Sequence, residues 1–168
     1  MSKITSYKGI SKFYFKKILE EIIKIGNLHN DNKKILDYGC GEKELQKKLN
    51  KKIFNYDVRP EYSELDNINN IDFNTIIINH VLMYLSEVEI DDLLTRIYQT
   101  NPSCTFIIGI GKQNLLSKIA KNLTLNFNAH HGTLLSYNQQ LELIKKRLQI
   151  VNFKNVYYMT DIIYAKFI

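Results

Sequence analysis

The stretch KKILDYGCGEKEL, residues 33–45, decides the fold, because an apolar strand ends there in an acid, two glycines and a charged helix. Its first half has the apolar character of a buried strand, and Leu45 and Leu49 follow at helical spacing. Gly39 and Gly41 remove side chains where the backbone could approach a ligand closely or take a positive φ. In an α/β sheet, the first turn from strand to helix is the usual cradle for a cofactor. The stretch therefore predicts a ligand site as well as a fold.

The rest of the chain continues this alternation of strands and helices. Helices are predicted over residues 8–27, 42–52, 86–100, 112–122 and 137–148, and strands over 35–39, 52–57, 73–79, 104–111, 150–160 and 161–168. Ser86 with Glu89, and Ser136 with Gln139, have the spacing of capping boxes. The unbroken apolar run within residues 73–79 is typical of a strand that is covered on both faces. The pattern predicts an α/β domain whose last two strands form an antiparallel hairpin.

Length and composition favour one domain, residues 1–168, with residues 1–30 as an N-terminal helical cap. With 168 residues and 45% hydrophobic content, the chain can build a sizeable core. Cys40 and Cys104 lie in different segments without ligand spacing, so we expect neither a disulfide nor a metal site. We also expect a cytoplasmic protein without a membrane span. The longest apolar stretch is interrupted by polar residues, and the first residues lack the apolar core of a signal peptide.

The net charge of +6 raises the question of a nucleic-acid partner. The lysines are scattered through a chain that is also rich in Asn and Ile, rather than gathered in one basic segment. A small-molecule substrate is therefore favoured, and RNA stays open as an alternative partner. The sequence gives no indication of the oligomeric state.

A second acid, Asp57, follows the next predicted strand and is placed to accept hydrogen bonds from both hydroxyls of a ribose. A dinucleotide loop would read GxGxxG and bind a pyrophosphate at the helix start, whereas Glu44 takes the third glycine position here. Asp37 and Glu42 add negative charge around the turn, which repels phosphates. The residues therefore favour a nucleoside that carries an amino group and a sulfonium, S-adenosylmethionine, over NAD.

Three segments in this order, ILDYGCGEK, NYDVRP and FNTIIINHVLMYL, resemble successive motifs of the class I S-adenosylmethionine-dependent methyltransferases. The resemblance covers about residues 33–168. It implies an α/β fold with a seven-stranded, mostly parallel Rossmann-like sheet, flanked by helices and ending in a C-terminal antiparallel hairpin. There are two departures. Lys43 replaces the family's usual third glycine, and the interval between Asp57 and Phe73 is too short for a full helix plus a third strand.

By position, the resemblance implies a set of cofactor-binding residues and S-adenosylhomocysteine as the product. The set is Asp37, Tyr38, Gly39, Cys40, Gly41, Asp57, Val58, Asp66 on the adenine side, Asn79 and His80. The glycine loop would line the methionine moiety through its backbone, and Asp37 would orient the methionine amino group. Asp57 would bind the ribose, and Val58 would pack on the adenine. Asn79 and His80 would border the cofactor near the methyl group.

Histidines are the candidates for general-base catalysis, because a methyl acceptor often loses a proton and imidazole titrates near neutrality. His80 follows the strand that ends at Asn79, and His131 lies beside His130 in the predicted loop 124–135. Each of these histidines could instead be structural or exposed. We take His80 and His131 as the catalytic candidates.

The segment after residue 79 also bears on the methyl acceptor. Family members that act on planar amines or amides usually carry an Asn/Asp-Pro-Pro-aromatic turn there, and this chain reads NHVL without a proline. The resemblance therefore implies an acceptor centred on oxygen or carbon in a small molecule. Two alternatives stay open: a methyltransferase that acts on RNA, and a degenerate methyltransferase fold that serves as a binding or scaffold subunit.

The aromatic residues of the N-terminal segment have two interpretations. Tyr7, Tyr14 and Phe15 could close over a cofactor, as N-terminal segments do in similar enzymes. Aromatic residues at helical spacing more often pack into a core, and we expect that role here.

Overall fold

The computed structural model describes residues 10–112 and 133–168, and within those ranges it has four α-helices and six β-strands. The helices are α1 (Ile10–Gly26), α2 (Glu44–Leu49), α3 (Glu87–Thr100) and α4 (Tyr137–Arg147), and a short 3₁₀ helix spans Leu82–Tyr84. The strands are β1 (Ile35–Tyr38), β2 (Phe54–Tyr56), β3 (Thr75–Asn79), β4 (Thr105–Gly111), β5 (Leu148–Val156) and β6 (Thr160–Phe167).

The described strands form one sheet in the order β2-β1-β3-β4-β6-β5. β1 pairs in parallel with β2 and β3, and β3 pairs in parallel with β4. β6 runs antiparallel to both β4 and β5. Parallel neighbours need crossover connections, which α2 supplies between β1 and β2 and α3 supplies between β3 and β4. The C-terminal ends of β1 to β4 therefore lie along one side of the sheet, which we call the carboxyl edge.

Both faces of the sheet are buried, because alternate residues of the central strands enter different core clusters. On β3, Ile76 and Ile78 pack in the cluster that contains α3, whereas Ile77 packs in the cluster that contains α1. On β4, Ile108 and Ile107 divide in the same way. Successive side chains of a strand point to opposite faces, so burial of both faces requires the unbroken apolar run seen in the sequence.

Both predicted capping boxes are confirmed. The Ser86 backbone N–H donates to a carboxylate oxygen of Glu89 over 2.7 Å, and the Ser86 hydroxyl accepts from the Glu89 backbone N–H. Ser136 and Gln139 form the equivalent box at the start of α4. These reciprocal bonds satisfy backbone donors that the first turn of a helix otherwise leaves unpaired.

α1, at 17 residues, packs its apolar side on the face of the sheet that carries Ile77. Tyr14 and Phe15 pack against the same cluster, which is the core role expected of them. Tyr7 lies outside the described residues. No helix in the described ranges is both long enough and apolar enough to cross a membrane.

The strand count differs from the expectation: the described sheet has six strands rather than seven. Between Tyr56 and Thr75 the chain forms only turns, bends and irregular connections, because the interval is too short for another crossover unit. β2 is consequently an edge strand. The Glu64 backbone N–H donates to the Asn55 carbonyl over 3.0 Å, so the returning loop covers part of that edge.

The C-terminal hairpin is present, but its turn lies earlier than predicted. β5 ends at Val156 and the turn occupies residues 157–159, so Thr160 and Asp161 belong to β6. The Asn155 side-chain oxygen accepts a hydrogen bond from the backbone N–H at position 158 over 2.7 Å, which stabilises the turn there.

β5 forms the other edge of the described sheet. Its pairing with β6 shifts register between Ile150 and Asn152, which makes Val151 the extra residue of a β-bulge. Val151 and Phe153 are both largely exposed on this strand.

Residues 113–132 lie outside the described ranges. They hold most of the helix predicted over residues 112–122, together with the catalytic candidate His131 and its neighbour His130.

The packing predicts unequal responses to truncation on the two strands of the hairpin. Ile163→Ala on buried β6 should lower the free energy of unfolding by about 2 to 4 kcal/mol, because it leaves a cavity in the core. Val151→Ala on exposed β5 should change it by less than about 0.5 kcal/mol. Urea unfolding followed by circular dichroism measures both, and equal losses would contradict the assigned faces.

Candidate functional site

The loop after β1 is tied to the end of β2 by three backbone donors at the carboxyl edge. The N–H groups of Gly39 and Cys40 both donate to the Tyr56 carbonyl, over 2.7 and 3.0 Å. The Gly41 N–H donates to the Asp57 carboxylate over 2.9 Å. The structure thus brings together the glycine loop and the acid that the sequence predicted as neighbours.

The two glycines of the loop have different tasks. Gly39 has φ +83°, and a Cβ there would overlap the Val81 side chain, so this glycine permits the loop to pack against the segment after β3. Gly41 has φ +48°, and the nearest atom to its missing Cβ is Arg59 Nη2 at 3.9 Å. Gly41 therefore faces open space, which is expected of a position that a ligand approaches closely.

Asp37 is a buried carboxylate at the end of β1. Burial, together with the negative charge of nearby Asp57, raises the pKa of Asp37 from 3.8 to about 7. A neutral or weakly ionised acid in this place would become fully charged beside a bound cation, because an opposite charge favours the ionised form. Groups with such perturbed pKa values are common in functional sites.

Asp57, at the end of β2, is also buried but has several partners. Burial opposes its ionisation, yet hydrogen bonds from the Arg59 side chain and from the Arg59 and Gly41 backbones outweigh burial and lower its pKa. Arg59 Nε and the Arg59 backbone N–H each donate to Oδ1 over 3.0 Å, and Nη2 donates to Oδ2 over 3.3 Å. Asp57 is therefore an ionised carboxylate that forms an ion pair with Arg59.

Two further predicted residues flank these acids. Val58 is 84% exposed, which is unusual for an apolar side chain beside a buried acid and fits a surface that a ring could cover. Cys40 is buried, and burial followed by the charge of Asp37 raises the pKa of its thiol to about 12. The thiol is therefore neutral, and its Sγ lies 3.5 Å from the Tyr62 carbonyl as a weak donor.

Asn79 ends β3 at the carboxyl edge, on the same face as Asp37. Its Oδ1 is buried and has no hydrogen-bond partner in the described chain. Gly109 of β4 makes room for it, since a Cβ at that position would overlap Oδ1. A buried acceptor without a donor costs about 1 to 3 kcal/mol. This acceptor is thus available to a ligand donor.

His80 follows Asn79 with φ +57°, a left-handed conformation that is uncommon for residues other than glycine. Its Nε2 lies 3.1 Å from Thr160 Oγ1, and that hydroxyl is in turn hydrogen-bonded to the Tyr14 hydroxyl. The His80 ring lies close to Gly111 of β4. The structure therefore directs His80 toward β4 and β6, beneath α1, rather than toward the glycine loop.

Two other predicted residues lie apart from the acids. Tyr38 points to the opposite face from Asp37, and its ring stacks on Tyr56 with centroids 5.0 Å apart, so its side chain lies outside the loop. Asp66 is exposed in the connection between β2 and β3. Its adenine-side role stays a prediction.

A polar cluster that the sequence analysis missed lies at the end of β4. Asp161 is 4% exposed and accepts from Tyr137 Oη over 2.5 Å, from Lys112 Nζ over 2.8 Å and from Asn155 Nδ2 over 2.6 Å. Burial, then the bond to Asp161, raises the pKa of Tyr137 to about 12. Lys112, Tyr137 and Asp161 are far apart in the chain, so only the sheet topology could have revealed their contact. Arg59 was missed as well, although its position two residues after Asp57 was a local signal.

Comparison with solved structures identifies the fold. Magnesium protoporphyrin IX methyltransferase (ChlM) from Synechocystis PCC 6803, with bound SAH, is similar at TM-score 0.62 and 11% identity, over 96% of this chain and 89% of that one. The PH0226 protein from Pyrococcus horikoshii OT3 gives TM-score 0.67 and 12% identity, over 95% and 93%. The N-methyltransferase NodS from Bradyrhizobium japonicum WM9 gives 0.63 and 13%, over 92% and 96%. No protein-family model and no curated protein matches the sequence.

This chain has a class I S-adenosylmethionine-dependent methyltransferase fold. Its residues also fit the cofactor of that fold. The glycine loop has an open position at Gly41 and two buried acids beside it, and the Asn79 Oδ1 acceptor has no hydrogen-bond partner in the described chain. One contact opposes this fit, because Arg59 donates hydrogen bonds to the Asp57 carboxylate that a ribose would need.

The environment of Asp37 predicts a pH-dependent stability. Between about pH 4 and pH 7 the folded chain keeps a proton that the unfolded chain has lost, so stability falls as pH rises through that window. Asp37→Asn removes the ionisable group, so the variant should be more stable than the parent by about 2 to 4 kcal/mol near pH 8 and by much less near pH 5. Urea unfolding at both pH values tests this. A difference that does not change with pH would contradict it.

The glycine loop predicts a second contrast. Gly39→Ala should destabilise the fold by about 2 to 4 kcal/mol, because the new Cβ overlaps Val81 at a positive φ. Gly41→Ala meets no atom closer than 3.9 Å, so it should cost only about 1 kcal/mol of backbone strain. Thermal and urea unfolding of the matched pair measure the contrast, and a larger loss at Gly41 would refute the assigned roles.

Proposed function

We propose that this chain binds S-adenosylmethionine at the carboxyl edge and transfers its methyl group to a small molecule. The observation that carries the proposal is the pair of buried carboxylates, Asp37 and Asp57, beside a glycine loop with an open position at Gly41. A bound ammonium would favour ionisation of Asp37, and the two carboxylates would then favour a cationic ligand over the phosphates of NAD or ATP.

The described residues divide the task of holding the cofactor. When bound, S-adenosylmethionine supplies an electrophilic methyl group on a sulfonium. Asp37 would pair with the ammonium, Asp57 would accept the ribose hydroxyls, and the exposed Val58 would cover the adenine. Asn79 Oδ1 offers an acceptor to a donor that enters along β3. Methyl transfer then depends mainly on alignment, because an in-line approach to the sulfonium is its chief requirement.

Two observations support a small-molecule acceptor. Similar structures include proteins named as a magnesium protoporphyrin IX methyltransferase and a mitomycin 7-O-methyltransferase. In the described ranges, nine ion pairs each occupy a different lysine or arginine. This pairing reduces the positive charge available to an RNA backbone, whose binding depends on cations that contact phosphates.

We place the acceptor near His80 and favour an oxygen or carbon centre. The proline-containing turn associated with amine and amide acceptors is missing after Asn79. His80 lies at the carboxyl edge with Nε2 held 3.1 Å from Thr160 Oγ1, which fixes the ring against β6. The ring points toward β4 and β6 rather than toward the glycine loop, so His80 would act as a general base only on an acceptor that reaches that side of the carboxyl edge.

A binding or scaffold subunit with the same fold is the second candidate. The Arg59–Asp57 ion pair is the observation that favours it, because the pair competes with a ribose for the same carboxylate. Such a subunit would bind the cofactor weakly or without turnover. Release of S-adenosylhomocysteine in the presence of a methyl acceptor would exclude it.

The ligand preference gives a direct test of the proposed function. Calorimetry should detect binding of S-adenosylmethionine and S-adenosylhomocysteine but not of NAD or ATP. Asp57→Ala should weaken cofactor binding by roughly 2 kcal/mol, because hydrogen bonds to a charged group contribute about 1.5 to 3 kcal/mol.

The matched control is Asp72→Ala, which removes an exposed carboxylate paired with Lys34 away from the glycine loop. It should leave cofactor affinity unchanged. Binding of NAD or ATP without binding of the methyl donor would refute the proposed function, and equal effects of the two substitutions would remove Asp57 from the site.

A further inference from the structure

The Arg59 guanidinium fills the donor positions around Asp57. Nε donates to Oδ1 over 3.0 Å and Nη2 donates to Oδ2 over 3.3 Å, so the fork reaches both carboxylate oxygens. The Arg59 and Gly41 backbone N–H groups add one donor to each oxygen. A ribose diol needs the same two oxygens, because each hydroxyl donates one hydrogen bond.

The guanidinium is also held from a second side. Its central carbon lies 4.3 Å from the centroid of the Tyr62 ring, in a cation–π arrangement. Nη2 lies 3.9 Å from the position of a Cβ on Gly41, so the charged group stands in front of the open part of the loop. Asp57 is 6% exposed by its side chain, so this ion pair is largely shielded from water and is stronger than an ordinary surface pair.

We infer that Arg59 is a competing occupant of the ribose position, and that it sets the affinity of the chain for its nucleoside cofactor. This inference rests on the proposed function, since it concerns the same site. The cofactor must exchange the side-chain contacts of Arg59 with Asp57 for its own hydroxyl contacts. The two backbone donors to Asp57 remain in place during that exchange, so the carboxylate keeps its position.

The exchange predicts the direction in which cofactor affinity changes when Arg59 is replaced. A ligand that must displace an internal partner binds more weakly than it binds the same site without that partner. Removing the Arg59 side chain should therefore strengthen cofactor binding, which is the opposite of what a residue that contacts the ligand would do. The effect should also shrink in high salt, because the Arg59 side chain is 39% exposed and the ion pair is partly screened.

The test compares S-adenosylhomocysteine binding by calorimetry to the parent chain, Arg59→Ala and Arg59→Gln. Arg59→Ala should bind about tenfold more tightly in low salt, since a charge-assisted pair no longer has to be broken. Arg59→Gln, which keeps polarity without the charge, should bind with an intermediate affinity. The matched control is Arg96→Ala on the exposed part of α3, which should bind like the parent.

The outcomes separate this inference from the proposed function. Equal or weaker binding by both folded Arg59 variants, with normal binding by the parent, overturns the competition and leaves the proposed function standing. Absence of binding by the parent and by every variant overturns both. If Arg59→Ala does not fold, as judged by circular dichroism, Arg59→Gln decides between tighter and unchanged binding.

Discussion

The hydrogen bond from the Gly41 N–H to the Asp57 carboxylate joins the two parallel strands on which the site is built. It works together with the Gly39 and Cys40 amides, which both donate to the Tyr56 carbonyl. Without these bonds, the loop after β1 and the end of β2 would be separate connections on the surface. With them, one carboxylate at the carboxyl edge orders the loop. The loop can therefore be preformed, which lowers the ordering cost of binding a ligand.

Two acidic side chains, Asp37 and Asp57, are buried near each other in the site. Asp37 is buried without a described ion-pair partner, and its raised pKa expresses the resulting penalty. Asp57 avoids a similar penalty because Arg59 pairs with it. The cost of burying a carboxylate is thus reduced in two ways. Asp37 keeps its proton, and Asp57 pairs with the Arg59 cation. A positively charged ligand would relieve the first acid directly, since it favours ionisation.

The sequence predicted most of the fold because the signals for it are local. The apolar run in β3, the two capping boxes and the glycine loop each lie within a few residues, and each is present in the structure. The seven-stranded sheet came from the family resemblance, whereas the described residues form six strands, in line with the short interval after Asp57. The position of the hairpin turn depends on a hydrogen bond from a backbone N–H to the Asn155 side chain. Strand propensities do not predict that contact.

The site was predicted less completely, for a related reason. Asp37, Asp57 and the glycines lie at or just after the ends of strands that pair as neighbours, so their order in the chain was sufficient. The Asp161 cluster gathers Lys112 and Tyr137 from separate elements, and no spacing rule connects them. The direction of His80 toward Thr160 depends on a left-handed backbone angle and on α1, which a linear reading does not supply. Tertiary packing, rather than residue type, decided these cases.

The β-bulge at Val151 has a consequence for how separate molecules meet. An edge strand of nine residues with exposed apolar side chains is a template on which another chain can extend the sheet. The extra residue breaks the regular spacing of outward N–H and C=O groups, so an incoming strand finds a short and bent ladder instead of a continuous one. At the opposite edge, β2 is only three residues long and the Glu64 amide already occupies one of its carbonyls. The irregularities of both edge strands of the described sheet therefore disfavour pairing with a strand of another molecule.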